Sequence, residues 1–211
     1  MNFLSTTTRT LLTSALLLTL LANCGEDVGH DAHDHHDHEN EVMTTLQLTF
    51  SAGNGDSFVA TWADPEQDGS PEIDEITLTN GETYTVTFEV LNELEEPAEN
   101  ITPEITDEKD EHQIFFSGSA VQGPCHTNNP NAVVEHSYGD VDNNGFPIGL
   151  TNTFVATSTG NGVLNVVLRH MPPVNGTAVK TGTLAGVLDS GTVSDLPGST
   201  DISVDFNVTV Q

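Results

Sequence analysis

Ile202, Val204, Phe206, Val208 and Val210 occupy every second position of the C-terminal segment, with Ser203, Asp205, Asn207 and Thr209 between them. Successive side chains of a strand point to opposite sides of the pleat, so a period of two puts all five apolar residues on one face. The same alternation recurs at Leu46, Leu48 and Phe50, and at Tyr84, Val86, Phe88 and Val90. No long stretch places apolar residues at helical spacing, and Thr, Val and Gly are abundant. The chain is expected to be all-β.

Turn signals divide it. Asn54-Gly55 reads as a hairpin turn into a strand at 58–62, and Asn80-Gly81 links a short strand at 76–78 to one at 84–90. Further strands are expected at 113–117, 132–138, 150–156 and 162–169. Residues 92–111 are acid-rich and contain prolines, and read as a long loop. About eight or nine strands with turns between them imply an antiparallel β-sandwich of immunoglobulin-like or cupredoxin-like kind over residues 44–211.

The N-terminus carries a different message. Arg9 precedes an apolar run from Leu11 to Leu21, which is too short to span a bilayer and has the length of a signal-peptide core. It ends in Leu21-Ala22-Asn23-Cys24, which resembles the lipobox of bacterial lipoproteins, Asn23 standing where a small residue is usual. The resemblance implies removal of residues 1–23, lipidation of Cys24 and a membrane anchor. With acyl burial at about 0.8 kcal/mol per CH2, several chains make such an anchor effectively permanent. The chain has two cysteines. A lipidated Cys24 leaves Cys125 as a lone thiol and excludes a disulfide scaffold.

The formal net charge is −28, and loss of Arg9 with the signal makes the remainder more acidic still. Only Lys109, Arg169 and Lys180 then remain as basic residues. Such a chain repels nucleic acid and anionic headgroups and attracts cations. Nucleic acid is excluded as a partner.

Between Cys24 and residue 43 lies a polar tail with almost no apolar content, expected to be a disordered tether. Five of the nine histidines, His30, His33, His35, His36 and His38, crowd into it, interleaved with Asp31, Asp34 and Asp37. Imidazole suits zinc, copper and nickel, and neighbouring carboxylates add oxygen ligands. In a flexible segment binding is multi-site and modest in affinity, because ordering the chain opposes it. The acids hold protons on the imidazoles, so this binding should weaken below about pH 6.

Cys24, the tail from His30 to Glu39, and the segments Asp110-Glu111-His112-Gln113, Tyr138-Gly139-Asp140-Val141-Asp142 and Leu168-Arg169-His170 together resemble a group of lipoproteins of Bacteroidetes-like Gram-negative bacteria. The resemblance implies a companion of an outer-membrane receptor in the uptake of zinc or another transition metal. The tail is also similar to the His-rich loops of zinc-uptake binding proteins, although nothing here resembles their α/β domains. Gly25, Glu26 and Asp27 after the cysteine resemble sorting and surface-export signals. They imply an outer-membrane lipoprotein facing outward, with the periplasmic face as the alternative.

Within the domain, His112 opens an apolar strand, and His170 ends one, on the same row as Leu164, Val166 and Leu168. Each is either a hydrogen-bonded core or rim residue, or the two meet at one end of the sandwich and hold a metal with His136 or His126. Cys125-His126 invites a copper reading, but no Met stands near Cys125, so a blue-copper site is rejected and only a soft ligand role for Cys125 is left. Asp140, Asp142 and Asn144, followed by Gly145, match the first half of a calcium loop. Position 151 is Thr rather than the bidentate Glu an EF-hand requires, which leaves a small calcium-stabilised turn or an ordinary acidic turn. No nucleophile elbow, zinc-protease helix or phosphate loop occurs, and an enzyme is not expected. The expected function is metal capture, zinc first, by a membrane-anchored lipoprotein. The rival is a surface β-sandwich that binds a protein or glycan, with the tail as spacer.

Overall fold

The computed structural model describes residues 42–211. Cys24 and the tail residues His30, Asp31, His33, Asp34, His35, His36, Asp37 and His38 lie outside the described residues. The strands are β1 (Thr45–Ala52), β2 (Ser57–Ala63), β3 (Glu72–Ile73), β4 (Ile76–Leu78), β5 (Thr83–Asn92), β6 (Glu99–Asn100), β7 (His112–Ser117), β8 (Val121–Gln122), β9 (Val134–Tyr138), β10 (Thr151–Ala156), β11 (Gly160–His170) and β12 (Ser199–Val210). Two short helices, α1 (Thr102–Asp107) and α2 (Leu184–Ser190), and a 3-10 turn at Val193–Asp195 join them.

One sheet runs β3-β2-β1-β5-β10-β9-β8, with β6 appended to β5, and the other runs β4-β12-β11-β7. The alternating rows meet between them. Leu46, Leu48 and Phe50 of β1 and Val86, Phe88 and Val90 of β5 share one buried cluster with Leu164, Val166 and Leu168 of β11 and the even-numbered row of β12. Phe116 of β7 meets Phe154 of β10 edge to face, ring centroids 5.6 Å apart, across the two sheets. Each such buried side chain contributes roughly 1.5–3 kcal/mol over leaving it in water.

The sheets are mixed rather than purely antiparallel. β4 pairs with β12, and β8 with β9, in parallel. The first case has a simple cause: between Ile73 and Ile76 the chain leaves one sheet and enters the other, and β4 arrives beside β12 in the same direction. Residues 92–111 are not a plain loop, for they contain β6 and α1. Proline stands in the first turn of α1, where a missing N–H costs nothing, and Ile105 is its one buried side chain.

The four-stranded sheet is covered on its outer side as well. Phe115, Cys125, Val167 and Met171 form a second cluster with Leu184 and Ala185 of α2 and with Leu196. β7 and β11 are therefore buried on both faces, which is why Ile114-Phe115-Phe116 and Val166-Val167-Leu168 read as continuous apolar runs. No helix among the described residues is long and apolar enough to cross a membrane.

Candidate metal centre

β7 begins at His112 and β11 ends at His170, and the antiparallel ladder pairs these two residues directly. The Met171 amide donates to the Glu111 carbonyl at 2.7 Å and closes that end of the ladder. Just upstream, α1 finishes in a tight turn, with the Glu108 amide bonded to Glu104 and the Glu111 amide bonded to Glu108. The turn brings two carboxylates over the histidine pair. Glu108 Oε2 lies 4.0 Å from His112 Nδ1 and 3.9 Å from His170 Nε2, and Glu111 Oε2 lies 3.7 Å from His170 Nε2.

Glu108, His112 and His170 each offer a ligand atom within 4.8 Å of the others, the one such convergence of three among the described residues. His112 is buried, whereas the side chains of His170, Glu108 and Glu111 are 20%, 33% and 28% exposed, so the group opens to solvent on one side. Burial, and then the neighbouring His170, push the His112 imidazole down to about 4, against a smaller upward pull from the Glu108 carbonyl. His112 is thus neutral at pH 7, the form that binds metal.

The two rings stack, centroids 4.5 Å apart and 9° from parallel. Imidazole lone pairs lie in the ring plane, so nearly parallel rings do not both aim at one ion at about 2.0–2.1 Å. Occupancy therefore requires one ring to turn, and His170 is the more exposed of the two.

The expected pairing of His112 with His170 is present; His136 and His126 do not join it. His136 is enclosed by Phe116, Tyr138 and Phe154, with Nε2 3.0 Å from Asn152 Oδ1. Burial pushes its imidazole down to about 4. His126 sits in the turn that Gly123 closes by reciprocal backbone bonds. Cys125 is a buried free thiol, 3.8 Å from Tyr138 Oη, and burial raises it to about 11. A thiol held protonated in the core is a poor soft ligand.

The acidic turn at 140–145 is bonded as an ordinary acidic turn would be. Asp140 accepts the amides of Gly149 and Thr151, and Asp142 accepts those of Asn144 and Phe146. The second oxygen of Asp142 lies 2.9 Å from the Lys180 ammonium, both side chains being essentially inaccessible. Asn144 turns its amide toward Asp110. The cation beside this turn is Lys180, and both oxygens of Asp140 and one of Asp142 accept the protein's own amides.

Glu108 and Glu111 escaped the sequence reading, because they sit in an acid-rich stretch where no single carboxylate stands out. The spacing of Glu108 and His112, one helical turn apart across a helix end, is the signal that was there to be found. No family model, no curated protein and no solved structure matches this chain.

Proposed function

We propose that this chain is a membrane-anchored surface lipoprotein that captures a transition metal, zinc first, and presents it to an outer-membrane uptake receptor. In this reading the tail histidines gather the ion, and the centre at Glu108, His112 and His170 holds it, with Glu111 alongside. The observation that carries the reading is the convergence of those three residues on a partly open site. Two imidazoles and a carboxylate form a borderline donor set that suits zinc, with copper and nickel next.

The charge distribution supports it. Of the three basic residues in 42–211, Arg169 and Lys180 are buried. Arg169 donates to the carbonyls of Leu196, Pro197 and Gly198, and Lys180 faces Asp142. The exposed surface is left almost entirely acidic, which concentrates cations near the site.

The test is a zinc titration by calorimetry with and without residues 25–43. Several weak sites that vanish with the tail, together with one that survives, are the expected result. Binding that vanishes entirely with the tail refutes a metal centre in the domain and leaves the β-sandwich as a docking module.

A further inference from the structure

The segment from Glu108 to Glu111 carries both carboxylates of the metal centre on a connection of four residues between α1 and β7. Such a connection would ordinarily be free to shift, yet it is fastened at each of its two middle positions. Lys180 Nζ donates to the Lys109 carbonyl at 2.7 Å. The Asp110 carboxylate accepts the Asn143 amide at 3.0 Å, Asn143 Nδ2 at 2.8 Å and Asn144 Nδ2 at 3.5 Å. Both fasteners trace to the acidic turn, since Asp142 holds Lys180 in place at 2.9 Å and Asn143 is its neighbour. The turn is itself rigid, closed by the Asn144 and Phe146 amides on Asp142 and by Asp140 on Gly149 and Thr151.

We infer that Lys180, Asp142 and Asn143 are positioning residues for the metal centre: they lock the 108–111 segment so that Glu108 and Glu111 face His170. The inference rests on the metal reading above. It also gives the calcium-like turn a role, as a brace that uses an internal ammonium where a calcium loop uses an ion. Outer partners that orient metal ligands typically contribute ten- to a hundredfold in affinity.

The experiment uses the full chain with His30, His33, His35, His36 and His38 all changed to Ser, so that only the domain site is read. Two variants that leave net charge unchanged are compared with it, Lys180→Met/Asp142→Asn and Asn143→Ala. The asparagine retains an oxygen for the Asn144 and Phe146 amides, and position 143 is exposed, so both variants are expected to fold. Leu164→Ala serves as a control that loosens the core without touching the segment. Zinc dissociation constants should weaken about tenfold in the double variant and severalfold in Asn143→Ala, with one-to-one stoichiometry kept. The core control should lower the melting temperature and leave zinc affinity unchanged.

Wild-type zinc affinity in both brace variants overturns the inference. So does an equal loss of affinity in Leu164→Ala, which would make the effect one of general stability. His112→Ala/His170→Ala separates the two claims. If it abolishes binding while the brace variants do nothing, only the positioning role falls; if the parent chain binds no zinc at the domain, the metal reading falls and takes the brace with it.

Discussion

Replacing Lys180 with methionine should be among the most damaging single changes available outside the apolar core. The Lys180 and Asp142 side chains are 1% and 0% exposed, and 2.9 Å separates the charged atoms. Removing the ammonium strands a carboxylate that has no access to water. Breaking a buried pair in this way costs about 3–5 kcal/mol, because the partner's desolvation is no longer offset. For a domain of this size each kcal/mol shifts the melting temperature by about 2–4 °C, so Lys180→Met should melt roughly 10 °C lower.

The pH dependence gives the sign. Burial pushes the Asp142 carboxyl up, but Lys180 and the amides of Phe146 and Asn144 together hold it below its ordinary value. That contribution is fully present above the unfolded carboxylate range and is lost as pH falls through the folded value. In Lys180→Met the carboxyl rises and can neutralise itself, so the gap to wild type should narrow in acid. Thermal and urea melts followed by circular dichroism at pH 7 and pH 5 measure both effects. Adding Asp142→Asn should recover most of the lost stability. A Lys180→Met melt within about 1 kcal/mol of wild type, or a double variant no better than the single, refutes the argument.

Acid stability should follow the buried histidines. The imidazoles of His112 and His136 sit at about 4 in the folded chain against 6.5 unfolded, so the unfolded state binds two more protons between those values. Asp201, raised by burial to about 6 from 3.8, works the other way over nearly the same range. The net is one proton, so urea melts should show stability falling by about 1.4 kcal/mol per pH unit between roughly pH 6 and 4. His136→Asn should flatten that slope, and an unchanged slope would rule out His136 as a buried neutral group. Cys125, buried and protonated, should resist thiol reagents in the native state and react at the rate of unfolding; rapid labelling of the folded chain would contradict its placement.

The strands that alternate were legible because each buries one face and exposes the other, as in β1, β5 and β12. The histidine pair was legible for a related reason: His112 begins one strand and His170 ends another, so an antiparallel neighbour relation brings them together. The parallel pairing of β4 with β12 was not, since it depends on a three-residue strand changing sheets. α2 spans only seven residues and includes Gly186, too short for helical periodicity to emerge. The acidic turn stayed open between an ion site and an ordinary turn, because oxygens at alternate positions serve equally to bind an ion or to bond the turn's own amides. The distant Lys180 favours the second use, and nothing local in the sequence announces that it returns to Asp142.

The most direct test of the metal centre is a zinc-edge anomalous difference map from crystals of the chain grown with zinc. A metal centre there gives a peak within bonding distance of Glu108, His112 and His170, with the His170 ring turned out of its stack. No peak at that position, with zinc bound elsewhere on the domain or not at all, would contradict it.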